Sequence, residues 1–196
     1  MTKILTQTDN TIIVAISDTE IGKVILPNNV QFVNAQTGEP VDLFGDTLPT
    51  LEKEMAALQY ANSVNDLMPQ FIKTQTWQSE NGAEYDMMVM ERLYPLPFNH
   101  FDMPTRETMM SVFKKKLVEL HEHQFVHGDL MRPTNFFTRG NKEWMFSNVI
   151  QTQNGLRLLD AGFGTVCNKK NIELYVSILM RERLEIEDLK AYYFSC

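Results

Sequence analysis

The sequence has few cysteines, no long apolar run and too few basic residues to offset its acidic ones. Its two cysteines, Cys167 and Cys196, are too few for a disulfide framework, so a reducing compartment is expected. No run approaches the roughly 18 apolar residues of a membrane span, and the first ten residues lack the apolar core of a secretory signal. A net charge of -7 opposes binding to nucleic-acid phosphates. We therefore expect a soluble, cytoplasmic protein with neither a membrane nor a nucleic acid as partner.

Short β-branched runs dominate the first part of the chain. With 196 residues, 43% of them hydrophobic and 22% charged, the chain suits one compact domain or two small lobes. "TIIVAIS", "KVIL" and "VQFVNA" predict strands of a small antiparallel sheet, because turn residues separate them. Further on, Asn81-Gly82 lies between "FIKTQTWQS" and "EYDMMVMERL", which predicts a hairpin with a type I′ turn.

Helical patterns alternate with these runs. "DTLPTLEKEMAALQYAN" carries apolar residues at helical spacing and predicts an amphipathic helix capped by Asp46 or Thr47. "TRETMMSVFKKKLVELHEH" and "NIELYVSILMRERLEIEDLKAYYF" predict two more helices, and "NFFTR", "WMFSNVI" and "LRLLD" predict short strands. The proline-punctuated "YPLPFNHFDMP" is the best linker candidate. It divides the chain into an N-lobe of residues 1–93 and a C-lobe of residues 94–196.

A histidine, an aspartate and an asparagine lie close together after the second predicted helix. In "VHGDLMRPTN", Asp129 follows His127 by two positions and precedes Asn135 by six, and "LRLLDAGFG" later brings Asp160 to the end of a predicted strand. In this order the residues resemble the protein-kinase-like superfamily over roughly residues 48–180, and most closely its compact members that carry His-Gly-Asp-Leu. The resemblance implies an α+β, bilobal fold, with a small antiparallel N-lobe sheet plus a helix and a truncated, mostly helical C-lobe.

The resemblance also implies a cofactor and a division of roles. ATP and Mg²⁺ would bind between the lobes. Asp129 would accept the proton of the attacking hydroxyl, and Asn135 and Asp160 would supply oxygen ligands to Mg²⁺. His127 would hold the shape of the loop by hydrogen bonding to backbone.

Further site residues are expected in the N-lobe. Backbone groups from Glu91 to Leu93 would meet the adenine edge by analogy with the hinge of kinases. On the first helix, Glu54 lies about 60° from the apolar Leu51, so it is the better inward-facing carboxylate. Its expected partner is Lys23, the strand lysine with apolar flanks in "IGKVIL", which would contact the α- and β-phosphates.

Three departures from the kinase pattern bear on the site and its partners. The first 50 residues contain no G-x-G-x-x-G motif, so the loop that covers the phosphates is unusual or absent. Lys23 precedes Glu54 by 31 residues, which predicts an inserted hairpin around "VQFVNAQTGEPVDLF". Only 36 residues follow Asp160, whereas a full protein kinase uses a far longer stretch to dock its substrate. We therefore expect a protein as substrate, or a second protein that activates the chain.

These observations favour a minimal serine/threonine protein kinase and leave two alternatives. One is a pseudokinase or ATP-binding interaction module, and the other is a small-molecule kinase. Minimal kinases that Gram-negative pathogens deliver into host cells have a similar layout, so delivery into a host cytosol is a second expectation for location. The histidines of "HEHQFVH" do not match H-E-x-x-H, and His121 and His123 are expected to bind helix-end carbonyls rather than zinc.

Overall fold

The computed structural model describes residues 3–8, 10–26, 32–33, 40–41, 50–130 and 148–196. In this part of the chain the helices are α1 (Leu51–Val64), α2 (Met103–Glu122), α3 (Ile172–Ser195) and a 3₁₀ turn (Ala161–Phe163). The strands are β1 (Lys3–Gln7), β2 (Thr11–Ala15), β3 (Glu20–Ile25), β4 (Phe32–Val33), β5 (Pro40–Val41), β6 (Phe71–Gln78), β7 (Glu84–Glu91), β8 (Phe125–Val126), β9 (Val149–Thr152), β10 (Gly155–Leu158) and β11 (Thr165–Val166). None of the described helices is long and apolar enough to cross a membrane.

The chain has an α+β fold whose first part is an antiparallel sheet. Five strands pair in the order β1-β2-β3-β7-β6. The predicted strands "TIIVAIS" and "KVIL" and the predicted hairpin β6–β7 are confirmed. β4 and β5 pair with each other inside the segment where an inserted hairpin was predicted. β1 was not predicted, because every residue in it is exposed and no buried face marks it in the sequence.

The turn between β6 and β7 differs from the predicted type I′. Gly82 has φ +84°, but Asn81 does not adopt a positive φ, which a type I′ turn requires at both central residues. Instead, the Gly82 N–H donates to the Ser79 carbonyl (2.9 Å), and Oδ1 of Asn81 accepts from the Ala83 N–H (3.2 Å). The Ser79 N–H donates to the Ala83 carbonyl (2.8 Å), which leaves a three-residue loop, 80–82, in which only Gly82 has a positive φ.

Helix α1 begins later than the sequence suggested. Its N-cap is Thr50, whose Oγ1 accepts from the Lys53 N–H (3.2 Å), so the expected caps Asp46 and Thr47 were wrong. The buried face includes Glu54 and Leu58. Glu52 is exposed, as its position on the helical wheel predicted.

The second part of the chain is mainly helical and shares one core with α1. Leu58 of α1, Phe113 and Leu117 of α2, Leu158 of β10 and Leu189 of α3 belong to this core. Residues 92–102 connect β7 to α2. The predicted helices α2 and α3 are confirmed. The predicted strand "NFFTR" and most of "WMFSNVI" lie outside the described residues, and β9 continues from the end of the latter.

Candidate active site

A cavity of about 620 Å³ lies between the sheet and the second part of the chain. The β1–β2 turn, β3 and the end of β7 line one side, and residues around β9 and the 3₁₀ turn line the other. Five of the predicted site residues line this cavity: Lys23, Glu54, Glu91, Leu93 and Asp160. Residues that lie far apart in the sequence therefore share one concave surface.

Lys23 joins the two sides of the cavity. Its Nζ donates to Oε1 of Glu54 (2.7 Å) and to Oδ1 of Asp160 (3.0 Å). Strand periodicity explains its direction, because Ile21 and Ile25 line the cavity with it while Gly22 and Val24 point to the opposite face. A buried lysine is costly unless it is paired, and here two carboxylates pair it.

Lys23 and Asp160 keep each other charged, whereas burial is the largest influence on Glu54 and raises the pKa of that carboxyl. Burial alone would lower the pKa of Lys23, but the Glu54 and Asp160 carboxylates outweigh burial and raise it. Burial would raise the pKa of Asp160, but the Lys23 charge, its hydrogen bond and the Gly162 N–H hold that pKa below its ordinary value. Lys23 therefore stays cationic and Asp160 anionic near neutral pH.

The backbone of Asp160 is turned to aim its carboxylate at Lys23. Asp160 has φ 62° and ψ 83°, the left-handed region, and it caps the 3₁₀ turn by accepting from the Gly162 N–H (3.2 Å). Left-handed conformations are unfavourable for residues other than glycine and concentrate at functional sites. The turn holds this carboxylate at the end of β10.

The loop after β8 is held by His127, as predicted. A carbonyl can only accept a hydrogen bond, so His127 Nε2 carries the hydrogen that it donates to the Leu159 carbonyl (2.8 Å). Nδ1 then accepts from the Asp129 N–H (3.3 Å). The imidazole thus ties the loop of Asp129 to the strand end that carries Asp160.

Asn148 is a site residue that sequence reasoning missed. Its Nδ2 donates both to the Asp129 carbonyl (2.9 Å) and to Oδ2 of the Asp129 carboxylate (2.8 Å). Asn148 is buried and lines the cavity, so it connects Asp129 to the cavity wall. Asn135 lies outside the described residues, and its role as a metal ligand stays a prediction.

A signal for Asn148 existed in the sequence. Residues 153–154 join β9 to β10, with Gly155 at the start of β10, and the pairing of Val149 with Leu158 brings the preceding Asn148 beside Leu159. The Leu159 N–H accordingly donates to the Asn148 carbonyl (2.8 Å). Reading this hairpin would have placed Asn148 next to Asp160.

The end of β7 offers backbone groups to the cavity. Oε2 of Glu91 accepts from Arg157 (2.8 Å) and from the Gln70 N–H (3.1 Å). This carboxylate oxygen therefore already has two donors from the protein itself. The Leu93 N–H makes no backbone hydrogen bond within the described residues. Apolar side chains, including Ile21 and Met90, line the cavity beside it. A flat heteroaromatic ring with an acceptor at its edge suits this region.

The β1–β2 turn lines the cavity with polar side chains in place of glycines. Thr8, Asn10 and Thr11 contribute to the lining. The Thr8 N–H donates to the Thr11 carbonyl (2.8 Å), and its hydroxyl donates to Oδ1 of Asn10 (3.1 Å). A loop is therefore present above the cavity even though the sequence has no G-x-G-x-x-G motif.

The histidines near the end of α2 do not gather around a metal. Across the described ranges no group of three or more histidine, cysteine, aspartate or glutamate side chains could hold an ion. His123 Nδ1 donates to the Glu119 carbonyl (2.9 Å), as expected for a helix end. His121 lies in the last turn of α2, as expected, but its Nε2 contacts Oε2 of Glu182 (2.8 Å) instead of a helix-end carbonyl.

Comparison with known proteins finds similarity in fold. No family model and no curated protein matches the chain. A kinase of Cydia pomonella granulovirus, PK-1, matches with a TM-score of 0.49 and 12% identity, over 84% of this chain and 51% of that one. The Rio2 kinase of Chaetomium thermophilum, solved as an ADP/Mg²⁺-phosphoaspartate complex, matches with a TM-score of 0.48 and 14% identity, over 87% of this chain and 50% of that one. The chain is similar in fold to these kinases. It spans about half of the length of each.

Proposed function

We propose that this chain binds ATP with Mg²⁺ in the cavity and transfers the γ-phosphoryl group to a serine or threonine hydroxyl of a protein. The single observation that carries the proposal is the contact of Lys23 with both Glu54 and Asp160. Lys23 is held by the Glu54 carboxylate beside the partly exposed carboxylate of Asp160. A lysine in this position suits the phosphates of a nucleotide, and the second carboxylate suits the metal bound to them.

The residues of the cavity fit this cofactor. A volume of about 620 Å³ falls within the range of about 300–1,000 Å³ that is typical of small-molecule sites. The apolar wall and the Leu93 N–H suit the base, and Lys23 supplies positive charge for the phosphates. Asp160 and Asn148 offer the oxygen atoms that Mg²⁺ prefers. Bound Mg²⁺ would neutralise charge on the phosphates.

Asp129 is the general base of this proposal. Its carboxylate accepts from Asn148 through Oδ2, and the residue is half-buried rather than sealed in the core. A carboxylate in this setting orients an incoming hydroxyl and takes its proton as the new bond to phosphorus forms. Lys23 and Asp160 hold the nucleotide, and Asp129 serves the acceptor.

The test compares binding with transfer. Asp129→Ala is expected to keep the Mg²⁺-dependent rise in thermal stability with ATP and to lose transfer by about 10²–10⁴-fold. Asp160→Ala is expected to lose the rise itself. Asp86→Ala, an exposed aspartate on β7, is the matched control and should behave like the native protein. Transfer from γ-labelled ATP is measured with a lysate and with a panel of metabolites as acceptors.

Three outcomes would contradict the proposal. Undiminished transfer by Asp129→Ala would remove Asp129 as the base. A native protein without any ATP-dependent stabilisation would favour a module that works by binding a partner. Labelled metabolites with no labelled protein would instead identify a small-molecule kinase.

A further inference from the structure

One face of helix α3 carries a row of exposed apolar side chains. They recur at every fourth position, and each is between 43% and 72% exposed: Ile172, Val176, Met180 and Leu184. Side chains four residues apart lie one above another on a helix, so these four form a continuous ridge. Single exposed apolar residues are ordinary, whereas a contiguous apolar patch indicates a surface that binds another molecule.

A different side of α3 packs on the rest of the chain. Tyr175, Ile186 and Leu189 are buried there. At about 100° per residue, the centre of the ridge lies about 100–160° round the helix from these three side chains. The folding of one chain therefore leaves the ridge in contact with water.

A shallow groove runs beside the ridge. Ile172, Val176 and Met180 line it together with Glu173 and Ser177. The small side chain of Ser177 allows a second helix to approach closely. In the commonest class of helix packing, a ridge of every-fourth side chains on each helix lies in the matching groove of the other. This face of α3 presents both the ridge and the groove that such a contact needs.

The charges beside the ridge suit a second copy of the same helix in the opposite direction. Glu173 and Arg183 are exposed, and neither has an ion pair among the described residues. Ile178 lies midway between them along α3. An antiparallel pair centred on Ile178 therefore brings Glu173 of each copy to the level of Arg183 of the other, twice by symmetry. A parallel pair would place like charges together, which is unfavourable.

The apolar residues follow the same symmetry. Ile178 is also midway between Val176 and Met180, and midway between Ile172 and Leu184. The antiparallel arrangement thus brings Val176 to the level of Met180 and Ile172 to the level of Leu184. Each level of the contact then joins apolar side chains from both copies.

We infer that the ridge on α3 is a self-association site through which two copies of this chain pair antiparallel. The pairing closes with two-fold symmetry, because the same surface is used by both copies. A contact of one helix from each copy lies at the low end of specific interfaces, so we expect a dissociation constant of about 1–100 µM. Below that range the chain is a monomer. The inference does not depend on phosphoryl transfer.

The first experiment measures the mass of the full chain by sedimentation over a concentration series that spans this range. The mass of the native protein should rise to that of two chains. Met180→Lys should raise the dissociation constant at least about 100-fold, because it places two lysine charges near the centre of the apolar contact. Met103→Lys is the matched control, because Met103 is a 45% exposed methionine on α2, and it should give the native value. Thermal denaturation of the monomers checks that each variant folds.

The second experiment tests the direction of the pairing with two charge reversals. Glu173→Arg and Arg183→Glu, each alone, should raise the dissociation constant about 5–30-fold, because each variant brings like charges together at both ends of the contact. An equimolar mixture of the two variants should associate about as tightly as the native protein. In the mixed pair, opposite charges meet at both ends again.

Each outcome decides for or against the inference. A native chain that stays monomeric across the series overturns it and leaves the ridge to a partner of different sequence. A dimer that Met180→Lys leaves intact also overturns it, since that dimer uses another surface. A mixture that associates no more tightly than either charge variant alone overturns the antiparallel pairing. Sedimentation needs no activity, so a native protein without transfer would refute the proposed function and leave this result unchanged.

Discussion

Asn148 donates the same amide nitrogen to the carbonyl and to the carboxylate of Asp129, although 19 residues separate them. This double contact restricts both the loop backbone and the side-chain rotamer of Asp129. No hydrogen bond to Oδ1 of Asn148 occurs within the described residues, and the residue lines the cavity. The amide nitrogen of Asn148 therefore fixes the carboxylate of the proposed base.

The first prediction tests Asn148 and Asn135 as metal ligands. Asn148→Ala should lower transfer about 10–100-fold and raise the Mg²⁺ concentration needed for half-maximal activity, because it removes an oxygen ligand and frees Asp129. Asn135→Ala should also raise that Mg²⁺ concentration, because Asn135 is the metal ligand that the sequence predicts. Initial rates over a Mg²⁺ titration measure both variants. A native Mg²⁺ dependence in either variant would remove that residue as a metal ligand.

The second prediction concerns the buried pair of Lys23 and Glu54. Lys23→Met should lower the free energy of unfolding by about 3–5 kcal/mol, because it leaves the Glu54 carboxylate buried without a counter-charge. The double variant Lys23→Met/Glu54→Gln should recover part of this loss, since it removes the stranded charge. Neither should bind ATP. Chemical denaturation and thermal-shift titration give the two quantities.

Lys73→Met is the control for this cycle, because Lys73 is an exposed strand lysine on β6. It should be within about 0.5 kcal/mol of the native protein and should bind ATP normally. Restored ATP binding in the double variant would show that Lys23 serves stability alone.

Glu185 makes stability depend on pH. Burial raises its pKa to about 7, Arg181 opposes this only in part, and the Glu182 and Asp129 carboxylates reinforce it. Oε2 of Glu185 is buried without a hydrogen-bond partner in the described part of the chain. Since the folded protein holds this proton more tightly than the unfolded chain does, the stabilisation is complete below the ordinary value of 4.5 and is lost as pH rises through about 7.

The third prediction follows from that sign. Glu185→Gln should raise the free energy of unfolding at about pH 8 by on the order of 2–3 kcal/mol and change it little near pH 5. Denaturation at the two pH values measures the difference. Glu173→Gln, at an exposed position on the same helix, should change neither value. A gain of equal size at both pH values would mean that the carboxylate does not titrate there.

The fourth prediction uses two glycines with nearly the same backbone conformation. Gly82 has φ +84° and open space where a Cβ atom would lie, with no neighbour within 4 Å, whereas Gly128 has φ +83° and the Phe163 carbonyl at 2.5 Å. Gly82→Ala should cost about 1–2 kcal/mol from backbone strain alone. Gly128→Ala should add about 1–3 kcal/mol from the forced displacement and should also impair transfer. Equal stabilities of the two variants would show that the Gly128 loop moves away from the Phe163 carbonyl at no cost in free energy.

The parts of the site that follow a local period were predictable from the sequence. Alternation along β3 and the 100° step along α1 direct Lys23 and Glu54 to the interior, and the resemblance to kinases named them as partners. Predicting the place of Asn148 would have required the β9–β10 register. Predicting the contacts of Glu182 would have required the packing of α3 on α2. No local pattern encodes that packing, because the partners Gly128 and His121 lie more than 50 residues away from Glu182.

The Gly128 N–H donates to Oε1 of Glu182 on α3, and the distance between these two residues along the chain has a consequence for protein synthesis. At roughly 5–20 residues per second, a ribosome needs several seconds to add the 54 positions from Gly128 to Glu182. Once Asp160 has been added, the ion-paired group of Lys23, Glu54 and Asp160 can thus assemble before Glu182 contacts the loop of Asp129. If the proposed function holds, nascent chains stalled between Asp160 and Glu182 would be expected to retain ATP without transferring its phosphate.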